Sequence, residues 1–480
     1  MMTVDEGRNL LSGTKVKSSS DHGVNASTSS TFEIEAGDEA INSPKFIENC
    51  IDSMHPRLLN LFTLILALGN AADAVEIICV GYIMSDIRDI TTTDKEFLTA
   101  SVFMGMLAGG LLCGYASDTI GRRPCLIASL FLNALAGFLS AATPNVKWLI
   151  ACRLLGGLGI GASVPAVFSL GAELFPSAQR GRRLSMIAAF WMVGSIFVAS
   201  VAWLMLGIPE WYVGWRPFAI VSALPALVAL ALTCIYLPES PRFLLSKGDY
   251  ERAATNIRYT TGMQADPQVL RNSIARNTTA DSGDVGILKL LFGTGLKRTT
   301  ATLMVIWFTL SFGSYGISTW ISVLYENVGI SNPYRDDFIY ALANLPGNII
   351  SILTIETYGR RRLLSYGMSL AALSCVGFGV GSSSVSVVLL CSTLFNCFSV
   401  IGWNSLDIMS CENFPTAVRT SAMGVLAASG RLGAISAQFV NGNLEKDIPL
   451  LFFVTSGCMV VGGIGAWLLP DDKAGATLSD

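Results

Sequence analysis

Charged residues are scarce in this chain of 480 residues: 14% are Asp, Glu, Lys or Arg, whereas 51% are hydrophobic. Soluble globular domains carry about 25% charged residues, so long segments of this sequence have been depleted of charge. The depleted segments recur along the whole chain, which excludes one buried core and favours many membrane-spanning helices. The formal net charge of −3 gives no reason to expect a nucleic-acid partner.

Paired cysteines and histidines are also missing. The eleven cysteines stand singly, without a CxxC pair, and there are only two histidines, so neither a disulfide framework nor a thiolate metal site is predicted. The sequence has no glycine-rich phosphate-binding loop and no nucleophile–base set. We therefore expect no cofactor, no metal, no enzymatic activity and no ATP-driven pump.

The sequence does contain twelve apolar runs of about 20 residues, the length that a helix needs to cross a bilayer. The runs predict an all-α membrane protein with two six-helix bundles at 56–237 and 300–470, a central loop at 238–299, and polar tails at 1–55 and 471–480. We expect the first tail to be disordered because it is polar and has no apolar run. The runs lie at 61–84, 97–117, 124–143, 147–169, 184–206, 215–237, 300–324, 335–355, 363–383, 385–408, 420–441 and 448–469.

The basic residues indicate how the spans are oriented. Arginine clusters at 122–123, 180–183 and 360–362 lie in every second loop, whereas the alternate loops hold two basic residues at most. Lys and Arg are enriched on the cytoplasmic side, so both termini and the central loop are predicted to be cytoplasmic. A short sequence at 6–11 (EGRNLL) is similar to acidic dileucine sorting signals. The predicted location is therefore either the plasma membrane or an endosomal, vacuolar or vesicle membrane.

Two loops of the first half recur in the second half. Residues 118–123 (DTIGRR) correspond to 356–361 (ETYGRR), and residues 173–180 (ELFPSAQR) correspond to 412–419 (ENFPTAVR). Because two unrelated loops share nearly one spacing, the sequence predicts two parallel repeats that bracket a central substrate path.

The repeated acid, glycine and arginine positions favour a conformational latch at the inner mouth. A carboxylate at the end of a span can accept hydrogen bonds from a helix N-terminus or from an arginine, and such contacts would break as the mouth opens. Simple anchoring of the topology is the alternative. The predicted latch residues are Asp118, Gly121, Arg122, Arg123, Glu173, Arg180, Glu356, Gly359, Arg360, Glu412 and Arg419.

Residues 114–123 (GYASDTIGRR) resemble the loop signature of the major facilitator superfamily, and 238–242 (PESPR) resembles its sugar-porter and organic-ion-transporter motif. Residues 72–76 (ADAVE), 153–159 (RLLGGLG) and 430–435 (GRLGAI) are most similar to the branch of synaptic vesicle glycoproteins and aromatic-acid/proton symporters. The resemblance implies alternating access between two rocking bundles. Glu76 departs from the aromatic-acid pattern, which usually has Asp there, and matches the vesicle branch.

Four charged residues fall inside predicted spans, where each costs about 2.5–3.5 kcal/mol on insertion scales. Asp73 and Glu76 share one helix face, and we expect them to carry or gate a coupled proton, because a carboxylic acid without a close cation can be protonated near neutral pH. Arg431 and Arg153 are predicted to grip an anionic substrate through the guanidinium fork. The alternative is that the four residues pair as static struts.

The remaining predicted substrate-binding residues are Asn70, Asn344, Trp320 and Gln438, and Trp191, Trp307, Tyr315 and Trp403 are further aromatic candidates for stacking. Amides also hold membrane helices together, and aromatic residues also line membrane interfaces, so each has a structural alternative.

These observations predict a secondary active transporter, a monomer in the lipid bilayer, that couples a proton to a small organic anion such as an aromatic or pyridine carboxylate. A transporter of the same fold for an organic cation, a zwitterion or a sugar is left open. So is a vesicle protein or receptor that transports little.

Overall fold

The computed structural model describes residues 46–263, 266–275, 291–293 and 295–469. Within them, twelve helices are long and apolar enough to cross a membrane, so the predicted all-α membrane fold is confirmed. The sorting-signal-like residues 6–11 and the tail 471–480 lie outside the described residues. The helices are α1 (Pro56–Asp86), α2 (Thr92–Ile120), α3 (Arg122–Ala141), α4 (Val146–Leu174), α5 (Ser177–Leu206), α6 (Trp215–Tyr236), α7 (Lys297–Val328), α8 (Pro333–Leu342 and Asn344–Tyr358), α9 (Arg360–Val380), α10 (Val385–Glu412), α11 (Thr416–Leu444) and α12 (Ile448–Trp467).

The helices pack as two bundles with the same internal arrangement. In the first bundle α2 and α3 pack on α4, α1 packs on α5 and α6, and α3 packs on α6. The second bundle repeats these pairs, with α8 and α9 on α10, α7 on α11 and α12, and α9 on α12. The repeat that the loop sequences predict therefore extends to helix packing.

Glycines bring α2 and α4 into backbone contact. A Cβ atom added at Gly157 or Gly161 would overlap the carbonyl oxygen of Val102 or Met106 on α2. A Cβ at Gly109 would overlap a backbone carbonyl on α4 in the same way. Small residues allow this approach because membrane helices associate mainly through close van der Waals packing.

Helix α8 is interrupted between its two segments. Proline lacks an N–H group and its ring clashes with the carbonyl four residues earlier, so Pro346 cannot bond the Leu342 carbonyl. Asn344, one of the predicted substrate-binding residues, donates its Nδ2 to the Ala341 carbonyl at 2.8 Å beside this break. The Asn344 side chain is therefore bonded to the backbone next to the break.

The molecule has two ends, which we name by their residues. The latch end carries the predicted latch loops 118–123 and 356–361, and the far end carries the connections α1–α2, α7–α8 and α11–α12. At the far end the two bundles touch, because Lys95 of α2 bonds Glu445 at 3.0 Å and Asn332 donates to the Gly207 carbonyl at 2.8 Å. The far end is closed.

Residues 46–55, the described end of the tail predicted to be disordered at 1–55, pack against the first bundle. Residues Phe46–Asp52 form a short helix, and Asp52 accepts a 2.7 Å hydrogen bond from the backbone N–H of Ser177, the first residue of α5. Glu48 lies 3.9 Å from Arg180 and 3.4 Å from Arg242. A carboxylate near a helix N-terminus is favourable, so the start of α5 helps to order this segment.

The central loop also contains helices, at Pro241–Ser246, Tyr250–Thr261 and Pro267–Ala275. Buried apolar side chains from these three helices form a small cluster that also includes Cys50 of the segment before α1. This cluster places the central loop against the latch end.

Candidate substrate site and latch

An aromatic group lies between the bundles near the middle of the helices. Its centre is Tyr315 of α7, whose ring lies 5.3 Å from Phe103 of α2 and 5.7 Å from Trp403 of α10. Trp191 of α5 lies 6.5 Å from Tyr315, and Trp307 lies 5.5 Å from Trp403. Four helices from both bundles thus contribute rings to one group, in which Phe103 is buried in the hydrophobic core and the other rings pack against that core.

Arg431 of α11 completes this group with a positive charge. Its guanidinium lies 5.5 Å from the centre of the Tyr315 ring, a cation–π geometry. The residue is only partly buried, and it acts electrostatically on Asp73 in the opposite bundle. The predicted anion-binding arginine therefore lies beside the aromatic group.

Asp73 of α1 is fully buried at mid-depth. Its Oδ1 accepts a hydrogen bond of 3.0 Å from Nδ2 of Asn133 on α3, while its Oδ2 has no hydrogen-bond partner among the described residues. The hydroxyl of Ser163 also interacts with the Asp73 carboxylate and makes no hydrogen bond to another described residue. Asp73 thus has polar neighbours and one vacant acceptor atom, but no bound arginine.

Glu76 and Arg153 form a different arrangement one turn along α1. Arg153 donates Nη1 to Oε1 of Glu76 at 2.5 Å and Nε to Ser140 at 3.0 Å. The two residues are 2% and 1% exposed, and Gly137 and Gly156 pack against the Glu76 carboxylate. The structure therefore divides the four charged residues into a dry ion pair and the separated Asp73 and Arg431.

Three other predicted substrate-binding residues are buried and bonded to protein groups. Asn70 donates to the Ile187 carbonyl of α5 at 3.0 Å. The Trp320 indole N–H donates to Oε1 of Gln438 at 2.9 Å, and Thr319 donates to the same oxygen at 3.0 Å. These contacts tie α1 to α5 and α7 to α11, and none of the three lies in the aromatic group.

At the latch end of the first bundle, Arg122 bridges two carboxylates. Its Nη2 lies 3.1 Å from Asp118 of α2, and its Nε lies 3.1 Å from Glu173 of α4. The guanidinium also stacks 4.9 Å above the Phe243 ring of the central loop.

Arg360 repeats this geometry in the second bundle. It lies 2.9 Å from Glu356 of α8 and 3.4 Å from Glu412 of α10. Arg419, the counterpart of Arg180 in the sequence repeat, donates to the Phe414 carbonyl at 3.3 Å. The two loop motifs of each half therefore meet in space as one acid–arginine–acid group.

Comparison with known proteins assigns the chain to a family. Residues 24–477 match the family model described as "Sugar (and other) transporter". The chain belongs to this family. The transporter therefore lies within the major facilitator superfamily, as its loop signatures predict.

The relatives agree with the branch that the sequence indicates. Synaptic vesicle glycoprotein 2C of Mus musculus is 26% identical over 87% of this chain and 79% of its own length, and synaptic vesicle glycoprotein 2A of Homo sapiens is 26% identical over 87% and 78%. The partially occluded inward-open xylose transporter XylE of E. coli has a TM-score of 0.72 and 21% identity, and the match covers 88% of this chain and all of that one. At this identity the solved structure shows the fold alone.

In this transporter the PESPR motif lies against the first latch loop. Glu239 accepts hydrogen bonds from the backbone N–H of Ser240 at 2.8 Å and of Arg123, at the start of α3, at 3.2 Å. Gly121 has a φ of 120°, and an added Cβ there would overlap the Glu239 carboxylate. Burial raises the pKa of the Glu239 carboxyl, and the backbone donors lower it in part. The second arginine of the loop, Arg123, donates to the Cys234 carbonyl at 2.8 Å.

Several buried residues of the transporter escape the sequence-based selection. Asn133 and Phe103 give no signal for a site in the sequence, because a single amide or aromatic ring is common in a membrane-spanning helix. Asp337 is different, because a second acid directly after Asp336 inside a predicted span is an intramembrane charge, which is a signal for function. Asp337 is 3% exposed and accepts a hydrogen bond of 2.8 Å from Ser322.

Proposed function

We propose that this transporter couples a proton to the movement of a small organic anion, with an aromatic or pyridine carboxylate as the substrate class. The observation that carries the proposal is Arg431 above the Tyr315 ring, within a group of aromatic rings contributed by both bundles. A guanidinium binds a carboxylate in two places, and the rings offer flat apolar surfaces for a planar substrate body. Mid-depth sites between parallel repeats are typical of transporters.

Asp73 is the proposed proton carrier. It is fully buried, its Oδ2 has no hydrogen-bond partner among the described residues, and Arg431 acts on it from across the cleft. A substrate carboxylate that neutralises Arg431 removes the positive charge that favours ionised Asp73, so anion binding promotes proton binding. This reciprocity couples the two ligands thermodynamically.

In this proposal, the Glu76–Arg153 pair supports the Asp73 site from one side. Their direct bond lies one turn from Asp73 and fixes α1 against α4. Protonation of Glu76 would release Arg153, so the pair serves as a second proton-linked element whenever water reaches it.

In the proposed orientation the latch end faces the cytoplasm and the far end faces the outside or the vesicle lumen, because the arginine-rich loops lie at the latch end. The structure then corresponds to the state in which the outer mouth is closed. The acid–arginine–acid groups around Arg122 and Arg360 close within their own bundles, and we propose that they exchange partners when the inner mouth closes.

A cation or zwitterion transporter is the second candidate, and one observation favours it. Asp407 of α10 is exposed, makes no ion pair with the described residues, and lies one turn from Trp403 on the same helix face. A carboxylate beside an aromatic ring is suited to a cationic group. The family description and the xylose transporter favour a sugar as a third candidate.

The proposal is tested by uptake into liposomes that contain the purified protein. Labelled benzoate, pyridine-3-carboxylate, choline and xylose are offered with and without an inward proton gradient. We expect the gradient to drive accumulation of a carboxylate in wild type. Accumulation of choline or xylose but not of either carboxylate would overturn the substrate class.

Variants separate the two roles. Asp73→Asn is expected to abolish gradient-driven accumulation while exchange of labelled for unlabelled carboxylate persists, and Arg431→Ala is expected to abolish both. Arg182→Ala removes an exposed arginine at the start of α5 and is the matched control. Unchanged accumulation in Asp73→Asn would refute the proton role.

A further inference from the structure

Asp337 of α8 is a buried carboxylate that the proposed cycle does not use. It lies where α8 meets α7 and α1 near the far end. Ser322 of α7 donates to its Oδ2 at 2.8 Å, and the hydroxyl of Tyr82 on α1 faces the same carboxylate. Because Tyr82 belongs to the first bundle and Asp337 to the second, the carboxylate lies on the surface where the bundles close together.

Aromatic rings cover this position on the closed surface. The Tyr82 ring lies 6.2 Å from Tyr334 of α8. Trp203 of α5 stacks at 5.3 Å on Phe338, the residue after Asp337. Both ring pairs cross between the bundles, so separation of the bundles at the far end would uncover Asp337.

The other titratable groups that face Asp337 are neutral hydroxyls and a thiol. Tyr325 of α7 and Tyr340 of α8 lie within electrostatic range of the carboxylate. Tyr325 is hydrogen-bonded to Ser392 of α10 at 2.6 Å, and Cys375 of α9 lies beyond Tyr340.

The charged groups near Asp337 are either paired with other residues or negatively charged themselves. Arg335 bonds Asp336 at 2.8 Å, and no lysine or arginine forms an ion pair with Asp337 in the described part of the chain. Glu326, another acid near the far end, is hydrogen-bonded to Ser85. The Asp337 carboxylate is thus buried without a counter-ion.

An ionised carboxylate in such a place is unfavourable. Moving an unpaired charge from water into the protein interior costs several kcal/mol even after relaxation, and one or two hydroxyl donors offset only part of that cost. A bound proton removes the charge while the bundles are closed. Once the bundles part, water reaches the group and the cost of ionisation falls.

We propose that Asp337 is a further proton-binding site, separate from Asp73 and Glu76, which is occupied while the far end is closed and empties into the far-side solution when that end opens. This inference rests on the proposed alternating-access function and adds a proton-binding site to it. The proton at this site enters and leaves on one side only, so it controls closure and adds nothing to the number of protons transported. Because the closed state binds the extra proton, acidification stabilises closure and a rise in pH favours opening.

The test measures far-end opening directly and needs no substrate. Spin labels are attached at Thr93→Cys and Lys446→Cys, exposed positions on the two bundles, after the native cysteines have been replaced. Double electron–electron resonance in nanodiscs then gives the closed and open populations from about pH 5.5 to pH 8.5. In wild type we expect the open-to-closed ratio to rise with pH, by up to about tenfold per pH unit for one coupled proton.

Asp337→Asn mimics the protonated acid, and we expect it to stay closed with no pH response across this range. Asp336→Asn removes the neighbouring acid, which is paired with Arg335, and should keep a wild-type response. A pH response in Asp337→Asn equal to that of wild type would overturn the assignment.

Ser322→Ala keeps the test informative if the Asn variant does not fold. Loss of this hydroxyl removes a donor that stabilises the ionised form in the closed state, so the open-to-closed ratio at the alkaline end of the range should rise above that of wild type, and an unchanged ratio there would count against the site. The outcome is separable from that of the transport proposal. If Asp73→Asn abolishes proton-driven uptake while Asp337→Asn opens with the same pH dependence as wild type, that combination of results would refute this inference alone.

Discussion

Arg122 and Arg360 occupy equivalent positions in the two bundles. Each is the first residue of its helix, α3 or α9, and each follows a glycine with positive φ, 120° at Gly121 and 82° at Gly359. Each guanidinium joins one exposed acid to one partly buried acid from the second repeated loop. The chain thus forms the same acid–arginine–acid group twice, so the first prediction applies to both bundles.

The inner acid of each group should matter more than the outer acid. Glu173 and Glu412 have side chains that are 20% and 27% exposed, whereas Asp118 and Glu356 are 75% and 70% exposed. Exposed ion pairs contribute about 0–1 kcal/mol, and partly buried ion pairs are screened less by the solvent.

We therefore expect Glu173→Gln and Glu412→Gln to lower the apparent Tm in detergent more than Asp118→Asn and Glu356→Gln. The melting curves are compared for the four purified variants. A larger loss from the exposed acids would contradict the assignment.

The Glu76–Arg153 pair should show strong energetic coupling. Removal of one partner of a buried ion pair costs about 3–5 kcal/mol, because the other charge is left buried alone. We expect Glu76→Gln and Arg153→Met each to destabilise the protein strongly, and the double variant to be more stable than the sum of the two effects. A double-mutant cycle on the free energy of unfolding measures the coupling, and additive effects would show that the two residues act independently.

The close approach of α2 and α4 should tolerate no added methyl group. Gly157→Ala places a Cβ against the Val102 carbonyl, so the helices must separate along their contact, and we expect a low yield of monodisperse protein and a lower Tm. Gly114→Ala, on the same helix as Val102 but with open space around its Cβ position, is the control. It should be neutral or stabilising by up to about 1 kcal/mol; equal behaviour of the two variants would disprove the packing argument.

The Lys95–Glu445 contact should help to hold the far end closed. Its side chains are 18% and 8% exposed, and Glu96 lies beside the pair. Lys95→Glu places three acids together, so we expect the open population of the Thr93–Lys446 spin-label pair to increase. The swap of Lys95→Glu with Glu445→Lys should restore closure, since the opposite charges are again in contact. Failure of the swap to restore it would indicate that the lysine acts through packing instead.

The sequence by itself determined the spans, the two-bundle repeat and the acids and arginines that meet at the latch end. These features are local: hydropathy over about 20 residues decides a span, and the loop motifs carry their acids and arginines within a few positions of one another. Even the meeting of Arg122 with Glu173 is implied once both loops lie at the same end of neighbouring helices.

The tertiary structure alone decided which intramembrane charges become partners. The spacing of Asp73 and Glu76 puts both on one face of α1, yet Glu76 bonds Arg153, whereas Asp73 bonds Asn133 and faces Arg431 across the cleft. The choice depends on the rotation of each helix and on the closure of one bundle against the other, which no single span encodes. For the same reason the ring group around Tyr315 and the uncompensated burial of Asp337 arise only when both bundles are in place.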